Sequence, residues 1–168
     1  LFPYATRVRS NKTAYVNFGF GITYKQLDEQ SRNLAAYLQS KLNKGDAVAI
    51  MMPNLLQYPI AVFGILRAGM VVTNTNPLYT PRELKHQLND SAAKAIIVIE
   101  NFACTLQEVV DETPVEHIIT TQLGDRLGTI KGSIMNFMVK KIKKMVPAFQ
   151  LPDTITFNSV LKQGQTLE

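Results

Sequence analysis

At 168 residues with 46% apolar content, the chain holds enough material for one ordinary core, and a mean hydropathy near zero fits a soluble protein. No apolar run approaches the ~18 residues a spanning helix needs, which excludes such a helix. The net charge of +5 is concentrated: Lys131, Lys140, Lys141, Lys143 and Lys144 fall in one acid-free segment and account for the whole excess.

A single cysteine, Cys104, excludes an internal disulfide and fits a cytosolic setting. The opening LFPYATRVRS has no initiator Met and no charged region leading into an apolar one. The expectation is a chain that begins within a longer protein and carries no signal peptide.

In chain order, the first residues read as the end of a helix. Thr13 to Phe18 and Ile22 to Tyr24, flanking Gly19-Phe20-Gly21, predict a short hairpin. Thr23 and Gln26 stand three apart, as a reciprocal helix cap requires. Leu27, Ser31, Leu34, Ala35, Leu38 and Leu42 then keep the spacing of one buried helical stripe. Asn43-Lys44-Gly45 is expected to end that helix, with Gly45 in a left-handed conformation.

From there the period changes. Ala47 to Met52, Met70 to Thr73, Ala95 to Ile99 and His117 to Thr121 are short segments, three of them nearly continuous in apolar residues. That pattern suits parallel strands covered on both faces. Between them lie helical segments at Asn54 to Ala68, Pro81 to Asp90 and Phe102 to Asp111. Strand-helix alternation predicts an α/β fold, a mainly parallel, doubly wound sheet with helices on both faces. Thr80, Pro81 and Glu83 supply three start signals for one helix. Pro59 conflicts with the Asn54 helix and predicts a kink or a late start.

Lys131 to Val146 reads as a basic amphipathic segment. At 100° per residue, Ile134, Met135, Phe137, Met138, Val139, Ile142, Met145 and Val146 fill one arc, with Lys140, Lys143 and Lys144 on the other and Lys141 within the apolar arc. Two readings compete: a surface helix packed on the sheet with a solvated lysine face, or a helix lying on an anionic membrane. Nucleic acid is disfavoured, because the segment is Met-rich and lacks Arg. Pro147 to Pro152 breaks the helix, and Ile155 to Leu161 is a short apolar element. One domain over 1–168 is the simplest partition, with 147–168 a connection onward.

His86 and His117 stand apart, with no metal-ligand spacing near either. The adjacent acids Asp28-Glu29 and Asp111-Glu112 diverge on helices and suit a solvated face. Gly19-Phe20-Gly21 lacks the third glycine of a dinucleotide loop. No residue is assigned a catalytic, cofactor-binding or metal role.

Ile22-Thr23-Tyr24-Lys25-Gln26-Leu27 resembles the L-T-Y-x-E-L motif of adenylate-forming enzymes, with Ile for Leu and Gln for Glu. Leu66-Arg67-Ala68-Gly69-Met70-Val71-Val72, running to Pro77, resembles their L-K-A-G motif. Leu55 to Asn89 is closest to bacterial long-chain fatty-acid CoA ligases, and the resemblance runs from about Ile22 to the C-terminus. It implies the N-terminal part of an enzyme that uses ATP, CoA and magnesium to activate a fatty acid. The enzyme would be cytoplasmic, peripheral at the inner membrane face, with a homodimer as an assembly. The Ser/Thr/Gly-rich run ending in Lys-Gly that cradles ATP in this family is missing between Leu1 and Glu168, so this stretch alone is expected to be inactive. The alternatives are a basic α/β module binding anionic membrane without catalysis, and a relative adenylating another carboxylic acid.

Overall fold

A computed structural model describes residues 8–167. Of the expected N-terminal helix end, only its last residue, the helical and exposed Val8, falls among them. Strands β1 (Thr13–Asn17) and β2 (Phe20–Thr23) form an antiparallel hairpin. Its two-residue turn is Phe18-Gly19, both at positive φ, rather than the Gly19-Phe20-Gly21 run expected. Such turns match the twist of the strands they join.

Helix α1 (Tyr24–Gln39) begins at the predicted reciprocal cap. Thr23 Oγ1 accepts from the Gln26 N–H at 3.2 Å, and Gln26 Oε1 accepts from the Thr23 N–H at 2.9 Å. The Leu27 stripe is buried as its spacing requires. The helix stops at Ser40, before Gly45, so Gly45 is not its cap. Gly45 does hold φ +93°, but it serves the turn into the next strand, and its N–H donates to the Gly69 carbonyl at 2.9 Å.

The main sheet contains β3 (Ala47–Met51), β4 (Val71–Asn74), β5 (Ala93–Ile99), β6 (His117–Thr121) and β7 (Thr154–Thr156), in the order β4-β3-β5-β6-β7, all neighbours parallel. Each strand's alternation divides its side chains between two cores. Val48, Ile50, Ala95, Ile97 and Ile119 meet α1, α2 (Gln57–Arg67) and α6 (Phe157–Gly164). Ala49, Met51, Ile96, Val98 and Ile118 meet α3 (Pro81–Asp90) and α4 (Ala103–Gln107) on the other face. Helices therefore cover both faces, as the near-continuous apolar strands require.

The conflict at Pro59 is resolved by a late start: α2 begins at Gln57, so Pro59 sits in the first turn, where a helical N–H has no partner to lose. Thr80, Pro81 and Glu83 start α3 with both bonds of the reciprocal cap in place. The helix expected over Phe102 to Asp111 is three pieces: a 3-10 turn at Glu100–Phe102, the five-residue α4, and another 3-10 turn at Val110–Glu112. The apolar element near Ile155 is β7 followed by α6, whose Phe157 is fully buried.

The largest departure concerns the basic segment. Helix α5 (Thr129–Phe137) passes into a π-turn at Met138–Ile142, where the Lys143 N–H reaches back to the Met138 carbonyl at 2.8 Å. Lys144, at φ +50°, ends it. Of the two readings, an apolar arc packed on the sheet holds only for Met135 and Val139, since Ile134, Phe137 and Ile142 are 54%, 59% and 62% exposed. Gly132, Met135, Asn136, Val139 and Lys140 face inward instead, at i, i+3, i+4, i+7 and i+8.

Candidate functional site

In open parallel sheets, ligands lie outside the carboxyl ends of the strands. Here a cavity of about 760 Å³ opens beyond the ends of β3 and β6. Phe20 and Ile22 of β2, Gln26 and Gln30 of α1, and Leu56 form one side. Gly124, Asp125, Arg126, Thr129, Gly132 and Asn136 form the other.

The wall after β6 is built on Asp125. Its Oδ2 accepts from the Gln122 N–H at 2.8 Å and from Thr121 Oγ1 at 2.9 Å, and its Oδ1 accepts from Asn136 Nδ2 at 3.4 Å. Asn136 Oδ1 in turn accepts from the Gly124 N–H at 2.6 Å, docking α5 on the loop. The two backbones can approach because Gly124 and Gly132 face each other: a Cβ on either would fall inside contact with the other's carbonyl oxygen. Buried Gln57 braces the same loop from α2, donating to Thr121 Oγ1 at 3.2 Å and to the Gln122 carbonyl at 2.8 Å.

Arg126 joins three elements. Its Nε donates to the Asp125 carbonyl at 2.8 Å, one terminal nitrogen to Gln30 Oε1 at 3.0 Å, and the other to Asn158 Oδ1. Burial pushes its pKa below the usual arginine value, and the Asp125 charge opposes that shift. Among the described residues of the lining, the hydroxyl side chains are Thr129 and Ser133, and Ser133 Oγ donates to the Thr129 carbonyl at 2.7 Å.

Beside it lies a buried acid. Glu100 is 8% exposed; its Oε1 accepts from Gln122 Nε2 at 2.8 Å and its Oε2 from Lys140 Nζ at 3.3 Å. The structure thus separates the five lysines. Lys140 is paired, against the expectation of a lysine face without a compensating acid. Lys131 Nζ stands 5.1 Å from the Phe20 ring centroid, a cation–π arrangement at the cavity rim. Lys141, Lys143 and Lys144 are exposed and have no partner among the described residues.

Motif reading missed Gln57, Glu100 and Arg126 because they bond partners far away in sequence, and Asp125 because its bonds to nearby Thr121 and Gln122 form in a loop that no motif marks. The available signal was position: Glu100 and Gln122 immediately follow parallel strands. Of the other candidates, His86 is exposed, His117 and Cys104 are half-buried, and no cluster of three or more His, Cys, Asp or Glu suited to a metal occurs among the described residues. In the first acid pair, Asp28 bonds Arg67 across α1 and α2 while Glu29 pairs with Lys25; in the second, Glu112 bonds Lys85.

The parallel order, the two covered faces and the cavity at the strand ends define an α/β protein of the open parallel-sheet class. The family model described as AMP-binding enzyme matches residues 2–158, and the chain belongs to that family. It is 56% identical over 170 aligned residues to a long-chain-fatty-acid–CoA ligase of Salmonella typhimurium and 55% identical to one of Escherichia coli. Each alignment covers 100% of this chain and 30% of the relative, so the chain spans about a third of the length of these curated relatives. Among solved structures, a putative long-chain-fatty-acid CoA ligase from Rhodopseudomonas palustris superposes with a TM-score of 0.71 at 14% identity, covering 95% of this chain and 34% of that one. That likeness shows the fold alone.

The residues present do not fit the ATP or magnesium that this family implies. Both carboxylate oxygens of Asp125, the acid of the cavity, are taken by Thr121, Gln122 and Asn136, and Glu100 is held by Gln122 and Lys140. No step involving either group is assigned to this stretch.

Proposed function

We propose that this chain is the N-terminal part of an ATP-dependent long-chain fatty-acid CoA ligase. The observation that carries the reading is the 56% identity to the Salmonella protein along the whole chain. In the complete enzyme, a fatty carboxylate oxygen attacks the α-phosphorus of ATP and pyrophosphate leaves. The CoA sulfur then attacks the acyl carbon and AMP leaves. ATP, CoA and magnesium belong to the complete enzyme, and residues 1–168 are its scaffold: one partial domain, in which β7 and α6 complete the sheet and core.

The stretch alone lacks a phosphate-cradling loop, and positioned electrostatics cannot act from residues it does not contain. Purified, it should give no fatty-acid-dependent pyrophosphate exchange. Exchange above a heat-treated control contradicts this reading.

The proposal extends to place: a cytoplasmic enzyme attached peripherally at the inner membrane face, through the basic segment. None of the described helices is long and apolar enough to cross a membrane. The unpaired Lys141, Lys143 and Lys144, beside exposed apolar side chains, support surface attachment. A homodimer is the accompanying assembly, testable by sedimentation velocity.

A further inference from the structure

An amphipathic helix on an α/β domain ordinarily turns its apolar stripe inward. Segment 128–145 does the reverse. Beside the inward Met135, its attachments are polar or backbone-close: Asn136 to Gly124 and Asp125, Gly132 against Gly124, Lys140 to Glu100, and Asn101 Nδ2 to the Met145 carbonyl at 2.9 Å. Val139, 9% exposed, is the one buried apolar side chain from α5 through the π-turn. Outward stand Ile130, Ile134, Phe137 and Ile142, the first 74% exposed.

The π-turn adds to this arrangement. An extra residue in a helical turn shifts the angular phase of the residues C-terminal to it, and such turns recur at functional sites. Here Lys140, inside the turn, points to Glu100, while Lys141, Lys143 and Lys144 remain exposed around Ile142. Exposed apolar side chains bordered by unpaired cations match one chemistry well: an anionic lipid surface, with acyl chains to receive the apolar groups and headgroups to receive the ammonium groups.

We propose that segment 128–145 is a membrane-contact element mounted by its polar side, in which Asn136 and Lys140 are anchors. Ile134, Phe137 and Ile142 are the inserting residues, and Lys141, Lys143 and Lys144 are the headgroup contacts. This rests on the peripheral-attachment reading and refines it. Lys140 is removed from the lipid-binding set, because its charge is used on Glu100. Lys131 is removed too, because it stands over Phe20.

The experiment measures hydrogen exchange by mass spectrometry and co-sedimentation, with vesicles of mixed phosphatidylglycerol and phosphatidylcholine and with phosphatidylcholine alone. Anionic vesicles should slow exchange in peptides within 129–146. Changing Lys141, Lys143 and Lys144 together to Gln should weaken binding by about fivefold per lysine at low salt. F137S with I142S should weaken it without altering exchange in the absence of lipid, since both side chains are already in water. K140Q should do the opposite, speeding exchange of 129–146 in the absence of lipid.

If the unaltered chain binds neither vesicle, the peripheral-attachment reading falls and this proposal with it. Should it bind while protection appears elsewhere, or while F137S/I142S binds equally well, only this assignment is overturned. Protection of the same peptides without lipid, rising with protein concentration, would give the face to a second copy and overturn it also.

Discussion

Lys140 Nζ lies 3.3 Å from Oε2 of Glu100, forty residues upstream, and that pair joins the π-turn to the end of β5. The two partners are unequal: Glu100 is buried and Lys140 is half-exposed. Removing the ammonium strands a carboxylate away from water, whereas removing the acid leaves a lysine that can turn to solvent. K140M should therefore cost ~1–3 kcal/mol, and E100Q, which keeps the Gln122 bond within reach, less than ~1 kcal/mol. Urea unfolding of both variants checks the order, and the reverse order would mean the pair is not as asymmetric as its burial.

Gln57 makes a second prediction. Its amide is the donor to both Thr121 Oγ1 and the Gln122 carbonyl, in a buried setting. Q57L keeps the side chain's bulk but leaves that carbonyl without the bond, at an expected cost of ~1–3 kcal/mol. Loss of protection at Thr121 to Asp125 should accompany it. A variant as stable as the parent chain would show that the loop after β6 stands without this brace.

Backbone proximity gives a third. A methyl group at Gly164 would meet the Asn33 carbonyl on α1, and one at Gly132 would meet the Gly124 carbonyl; both obstacles are main chain and neither can swing aside. G164A and G132A should each destabilise by ~1–3 kcal/mol. The first should loosen α6 against α1 and the second α5 against the loop, which hydrogen exchange resolves. Equal loosening everywhere would contradict these local origins.

A fourth concerns acid. The Thr80 N–H and hydroxyl both donate to Glu83 and hold its pKa below the ordinary carboxylate value. A depressed carboxylate contributes stability that is fully present above its unfolded pKa and is lost as pH falls through the folded one. The stability gap between the parent chain and E83Q should hold at neutral pH and narrow below about pH 4.5, the unperturbed value. Melting curves across that range decide it, and a gap that widens on acidification would rule it out.

Local signals carried much of the architecture. The Thr23–Gln26 and Thr80–Glu83 caps were readable because both partners of each bond lie within one turn. The buried strands were readable because a parallel sheet covered on both faces leaves little room for polar residues. The short β7 lacked that signal: at the sheet edge its Thr154 and Thr156 stay exposed, so it presents a mixed pattern. The inward face of α5 was misread because a helical wheel assumes that apolar residues are the buried ones. Gly132, Asn136 and Lys140 are held by a carbonyl, an aspartate loop and a glutamate whose positions depend on strands placed from far along the chain. The cavity shared that difficulty, since Arg126 gathers Gln30 and Asn158 from the two ends of the described chain.

The central claim, that these residues are ligase scaffold, is tested most directly by exchange of sequence. The 170-residue aligned stretch of the Salmonella typhimurium ligase is replaced by this chain, and fatty-acid-dependent CoA thioester formation is measured for the folded chimera. The account predicts long-chain acyl-CoA formation by the chimera and none by the chain alone. A chimera that folds with an unchanged melting profile yet forms no acyl-CoA would contradict it.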